Sequence, residues 1–175
     1  MDLTGARDLA RELMDAHGLR RWTFRFDSAK RRAGLCRYDT RVISLSRHLT
    51  ALYSPEEVTE TVLHEVAHAL AGPRAGHGPK WRRIAREIGA SGQRCVAADA
   101  PTVPAPWEGR CPAGHVHQRF RRPTRPMSCS RCRPGFCVEH LVHWQLHGED
   151  VDLGPRYQAE LEAAVARHRR SRLAG

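Results

Sequence analysis

His64-Glu65-Val66-Ala67-His68, followed after a Gly72-Pro73 break by His77, is a set of residues that can do hydrolytic chemistry. On a helix, residues four apart lie nearly above one another, about 6 Å along the axis. His64 and His68 can therefore point two imidazoles at one metal ion. Glu65 sits a step further round, within reach of a water beside that ion. Zinc lowers the pKa of such a water to about 7, and three protein ligands leave a fourth position open for chemistry. With His77 as the third ligand, the spacing describes a hydrolytic zinc site with Glu65 as its general base.

Such a site needs a rigid helix beneath it. Ser54-Pro55-Glu56-Glu57 supplies the start: a Ser cap, Pro at the first helical position and acidic residues in the first turn. Val58, Val62, Leu63, Val66, Ala67 and Leu70 then give an apolar face with a period near 3.6. Gly72-Pro73 stops the helix, because Gly suits a helix end and Pro cannot continue one. The intervening loop is long enough to swing His77 back toward the motif. His77-Gly78-Pro79 then opens a second helix, Lys80 to Ile88, with Trp81, Ile84, Ala85 and Ile88 on one face and Gly89 as its stop. Methionine occurs only at 1, 14 and 127, which argues against a metzincin Met-turn.

The run from Leu63 to Gly72, the segment Gly76-His77-Gly78-Pro79-Lys80-Trp81 and the pair Ile88-Gly89 resemble the SprT-like zinc metalloprotease family of bacterial SprT and eukaryotic Spartan-type protease domains. The resemblance is specific across these residues and looser over the rest. It implies an α+β, zincin-like minimal metalloprotease whose catalytic zinc is held by His64, His68 and His77, with Glu65 as the base. It also implies protein substrates, and specifically proteins crosslinked to DNA.

Upstream, residues 4 to 17 read as a helix with Leu9, Leu13 and Met14 on one side. Trp22 to Phe26 alternates apolar and polar residues, the mark of a half-buried strand. A basic turn leads to a second strand, Gly34 to Tyr38, and Asp39-Thr40 turns into a third, Arg41 to Ser46. Leu49 to Tyr53 link to the motif helix. The expected order is α-β-β-β-α-α, with a small, largely antiparallel sheet packed on helices. The third strand, nearest the motif in sequence, is the expected edge that receives a substrate backbone. Cys36 and Cys95 read as small buried hydrophobes.

Residues 1–96 thus form the protease domain. Residues 97–109 are a Pro-rich connector with Pro101, Pro104 and Pro106. Residues 110–147 carry a second constellation, Cys111-Pro-Ala-Gly-His115 followed by Cys129-Ser-Arg-Cys132. Two knuckles separated by a hairpin describe a zinc ribbon whose four ligands close the tetrahedron, so this metal serves structure. His115 is the expected partner of the three cysteines because a Cys-x3-His gap closes a knuckle; His117 and Cys137 are the competitors. The hairpin carries Arg119, Phe120, Arg121, Arg122 and Arg125, suited to phosphate contacts and base stacking. Residues 148–175 end in a basic helix, from Pro155 to Leu173.

Twenty-nine Lys and Arg against 19 Asp and Glu give a net charge of +10, with lysine only at 30 and 80. This favours a nucleic-acid partner, and single-stranded or distorted DNA is the expectation. No apolar run is long enough to span a membrane, and no secretion signal is legible. Six cysteines without such a signal point to metal binding rather than disulfides. The expected protein is a cytoplasmic monomer, near the nucleoid, with one catalytic and one structural zinc. The alternative is a non-catalytic DNA-binding protein whose HExxH metal is only structural. A zinc hydrolase acting on a non-protein amide is a third reading.

Overall fold

A computed structural model describes residues 1–95 and 99–173 of the chain. It divides into two compact units, Met1–Val103 and Pro104–Gly175. The expected boundary at residues 96 and 97 lies outside the described residues.

The first unit is a mixed α+β body. It runs α1 (Leu3–Ala16), β1 (Thr23–Asp27), β2 (Gly34–Arg37), β3 (Val42–Ser46), α2 (Arg47–Leu52), α3 (Pro55–Ala71) and α4 (Pro79–Glu87). Helix α2 occupies most of the stretch read as a plain link. It forms because the Ser46 hydroxyl caps it, accepting the Leu49 N–H at 3.1 Å. Helix α3 opens with a full capping box: the Ser54 hydroxyl accepts from Glu57 N–H at 3.2 Å, and the Glu57 carboxylate accepts from Ser54 N–H at 2.8 Å.

The sheet corrects two expectations. Its order is β1-β3-β2, with β1 parallel to β3 and β2 antiparallel to it. It is therefore mixed rather than largely antiparallel. The third strand is the centre of the sheet, and β2 is the edge on the side of α3. All five β3 residues are buried, serines included. Ser44 donates to the Asp27 carboxylate at 2.8 Å and Ser46 donates to the Ala29 carbonyl, so their hydroxyls are satisfied inside.

Helix α3 is gripped on two sides. Val58, Val62 and Val66 enter a core with Ala6, Ala10 and Met14 of α1 and Ile43 and Leu45 of β3. Leu63, Ala67 and Ala71 enter a second cluster with Trp81 and Ala85 of α4. Each set recurs every four residues, so together they leave one stripe of the helix for His64, Glu65 and His68. Leu70, expected on the apolar face, is exposed.

The second unit holds a four-stranded antiparallel sheet, ordered β5-β4-β6-β7, and a terminal helix. Its strands are β4 (Trp107–Arg110), β5 (Val116–Arg119), β6 (His143–Leu146) and β7 (Glu149–Asp150); α5 spans Gly154–Leu173. Residues 107–109, expected as connector, are strand because Trp107 is buried and β4 pairs on both edges. Among the described residues, no helix is long and apolar enough to cross a membrane.

Candidate active site and second metal centre

The end of α3 turns back on itself. Gly72 donates its N–H to the His68 carbonyl at 3.0 Å, and two tight turns follow, Ala75 N–H to Gly72 carbonyl and Gly78 N–H to Ala75 carbonyl. A Cβ on Gly78 would meet the Ala75 carbonyl oxygen at 2.9 Å, so only glycine permits the second turn. Pro79 then starts α4, and His77 is fixed between two backbone constraints.

His64, His68 and His77 come together. His77 Nε2 lies 3.0 Å from His68 Nε2 and 3.1 Å from His64 Nε2. Three imidazole nitrogens at Zn–N lengths on a tetrahedral ion would be spaced about 3.3 Å apart. Burial, reinforced by the charge of His77, pushes the His64 ring down to about 4, while the Gln93 backbone carbonyl opposes this by accepting from the ring. Burial and the neighbouring rings push His68 down to about 4 as well. His77 is lowered too, by burial and then by the charges of Arg94 and Arg82. Neutral rings present lone pairs, and three convergent lone pairs fit a divalent cation. The indole of Trp81 forms the wall behind them, its ring 4.6 to 5.2 Å from all three imidazoles.

Glu65 is 6% exposed. Burial pushes its carboxyl up to about 7, against the charge of Arg32 and the Cys36 backbone N–H that it accepts. The residue sits against β2: a Cβ on Gly34 would lie 2.6 Å from Glu65 Oε1. In the turn that follows β2 the Tyr38 hydroxyl donates to the His68 carbonyl at 3.0 Å. A cleft of about 960 Å³ opens over these groups, lined by β2, α3 and the segment around Gln93. Cys36 and Cys95 line it, half-buried and exposed respectively, so neither is the core residue expected. Trp81, Tyr38 and Gly34 were not picked out as site residues; Gly34 and Cys36 share a face of β2 by their period of two, and the strand ends at Arg37, before Tyr38.

The second unit brings Cys111, His115, Cys129 and Cys132 together. Cys111 Sγ lies 3.7 Å from Cys132 Sγ and 3.6 Å from His115 Nδ1; that nitrogen is 3.2 Å from Cys132 Sγ and 3.5 Å from Cys129 Sγ. Tetrahedral zinc would space two sulfurs by about 3.8 Å and a sulfur and nitrogen by about 3.6 Å, so this donor set fits. His117 Nε2 is 3.3 Å from Cys129 Sγ, and Cys137 donates to the Glu139 carboxylate at 2.9 Å.

The arginine-bearing segment is no hairpin: Arg119 closes β5 and residues 120–127 run on as loop, partly consumed by their own unit. Arg119 stacks over Trp144 at 5.2 Å and reaches Met127 Sδ at 3.3 Å, and Arg122 donates to the Asp152 carbonyl at 2.9 Å. Arg121 and Arg125 are exposed, and Phe120 is half-buried.

The SprT-like family model matches residues 7–101. The crystal structure of the metallopeptidase zymogen of Methanocaldococcus jannaschii jannalysin aligns at a TM-score of 0.43 and 16% identity, over 49% of this chain and 83% of that one. No curated protein matches the chain.

Proposed function

Because the chain belongs to the SprT-like family, we propose that it is a zinc-dependent endopeptidase working through His64, Glu65, His68 and His77. The observation that carries this reading is the convergence of three neutral imidazoles beside a buried carboxyl in an open cleft. His64, His68 and His77 would hold the ion. Zinc bound there supplies a Lewis acid and a water acidified to about pKa 7. Glu65, with its carboxyl raised toward neutrality, takes the proton of the attacking water and passes it to the leaving amide nitrogen. The cleft beside β2 receives the substrate backbone.

In the finer reading, Cys111, His115, Cys129 and Cys132 hold a structural zinc, and the substrates are proteins associated with or crosslinked to DNA. The net charge of +10 and the family resemblance support a DNA partner. Arg121 and Arg125, exposed on the loop after β5, are the phosphate contacts this reading leaves.

The test incubates the purified chain with DNA-bound basic proteins, with and without single-stranded DNA, beside Glu65→Gln and a chelator control. Cleavage is expected only from the metal-loaded native chain. Cleavage that survives in Glu65→Gln would overturn the assignment of the base. Absence of cleavage with retained DNA binding in both proteins would favour the non-catalytic alternative.

A further inference from the structure

Amide hydrolysis leaves one requirement that neither Glu65 nor the histidines meet, and we propose that the Tyr38 hydroxyl meets it by donating to the substrate's carbonyl oxygen. The inference rests on the protease reading. As the water oxygen bonds to the carbonyl carbon, the C=O π pair moves onto its oxygen. The water's proton goes to Glu65, then to the amide nitrogen as the C–N bond breaks. The oxygen that carries the transient charge needs a donor already in place.

Position comes first. The face of β2 that carries Gly34 and Cys36 runs along α3, and Tyr38 follows in the turn. At the start of the strand Gly34 touches the Glu65 carboxylate and Cys36 donates its N–H to it. Just past its end Tyr38 reaches the carbonyl of His68, three residues further along α3. Cys36 to Tyr38 covers about 6 to 7 Å of extended chain, against about 4.5 Å for the three residues from Glu65 to His68. All four line one cleft, so a substrate bound there can place its carbonyl between the general base and the phenol.

The other donors lining the cleft narrow the choice. Arg32 is held by the Asp27 carboxylate at 2.9 Å and the Gly34 carbonyl at 3.2 Å. Thr61 donates to the Glu57 carbonyl at 2.8 Å, the Ser91 hydroxyl donates to Glu60, and Tyr53 is buried in the main core. Tyr38 differs because its bond is cheap to exchange. The His68 carbonyl already accepts from Gly72 N–H at 3.0 Å, so releasing the phenol leaves no orphaned acceptor. Trp22 packs edge-on against the ring and limits its swing. Arg94, beside His77, is the rival donor.

The experiment compares the native chain, Tyr38→Phe and Arg94→Ala. It measures kcat and KM on a peptide, affinity for a phosphonate peptide that mimics the tetrahedral anion, affinity for the product peptide, bound zinc and thermal unfolding. Tyr38→Phe is expected to lower kcat about 100-fold with KM unchanged, the usual scale for losing one such donor. Phosphonate affinity should fall by a similar factor. Product affinity, zinc content and unfolding temperature should stay at native values, and Arg94→Ala should keep the native ratio of phosphonate to product affinity. Native kcat and phosphonate affinity in Tyr38→Phe would overturn the proposal, and so would the same losses in Arg94→Ala instead. Loss of zinc or of folding in Tyr38→Phe would overturn it too, making the phenol a positioning group for His68. A native chain that cleaves no peptide strikes the protease reading alone, and the phosphonate comparison still decides the role of Tyr38.

Discussion

Gly34→Ala tests the geometry of the active site without removing any functional group. The added Cβ would lie 2.6 Å from Glu65 Oε1, 2.7 Å from its Cγ and 3.0 Å from its Cδ. Ordinary contact begins near 3.4 Å, so one partner must retreat by about 0.8 Å. The strand has nowhere to go, since Gly34 pairs with Leu45 of the central strand and Leu45 is 1% exposed. Because Cγ is among the atoms struck, the Glu65 side chain must turn about its first bond rather than bend at its tip. Overpacking of this kind costs about 1–3 kcal/mol, offset by about 0.4–1 kcal/mol from the stiffer unfolded chain. The net is about 0.5–2 kcal/mol, or a fall in unfolding temperature of roughly 4–8 °C per kcal/mol for a unit of about 100 residues. Catalysis should suffer more, since displacement of a reacting group by about 1 Å can cost about 100-fold. The assay pairs peptide cleavage with thermal unfolding in two backgrounds. In Glu65→Ala the clash is gone, and Gly34→Ala should turn from destabilising to neutral or slightly stabilising. Equal destabilisation in both backgrounds, or native cleavage in Gly34→Ala, would refute the claim that this strand positions the base.

Two further outcomes are expected. Metal analysis should find two zinc ions per native chain, and replacing Cys129 and Cys132 by Ser should leave one; structural zinc contributes about 10–16 kcal/mol of folding free energy, so the second unit should lose its cooperative unfolding transition while the first keeps its own. Retention of two ions would refute the four-ligand set. Asp27 is buried enough to favour its neutral form, but the Ala29 N–H, the Ser44 hydroxyl and Arg32 outweigh this and hold its carboxyl below the usual range. Its unfolded value is near 3.9, so the unfolded state binds more protons as pH falls past that point. The stability it contributes is full above that value and is lost as pH drops through the folded value. Urea stability should therefore decline more steeply from pH 6 to pH 3 in the native chain than in Asp27→Asn, and parallel curves would refute the linkage.

The helix that carries His64, Glu65 and His68 was legible because its signals are local. A capping box, a proline at the first position and a Gly-Pro stop act within a few residues, and the structure bounds the helix at Pro55 and Ala71. The apolar period promised one buried face, and the helix has two, meeting α1 and β3 on one side and α4 on the other. Periodicity reports that a face is apolar; it does not report how many neighbours share it. Leu70 shows the cost, since it fits the period yet is exposed.

Strand order is where locality fails, and the failure fell on the functional edge. Val42 to Ser46 lies nearest the motif in sequence, but β1 pairs with it in parallel and drives it to the centre of the sheet. A parallel pair must come from strands separated by a crossover, so adjacency in sequence does not choose its members. Its serines supplied polar alternation that reads as one wet face, whereas both hydroxyls are spent inside, on Asp27 and Ala29. The strand beside Glu65 is instead Gly34 to Arg37. Its sign in the sequence was a residue with no side chain, where the buried carboxylate of Glu65 takes the space a Cβ would fill. A glycine inside a strand marks a close approach, and the partner in that approach is set by tertiary packing that no local window contains.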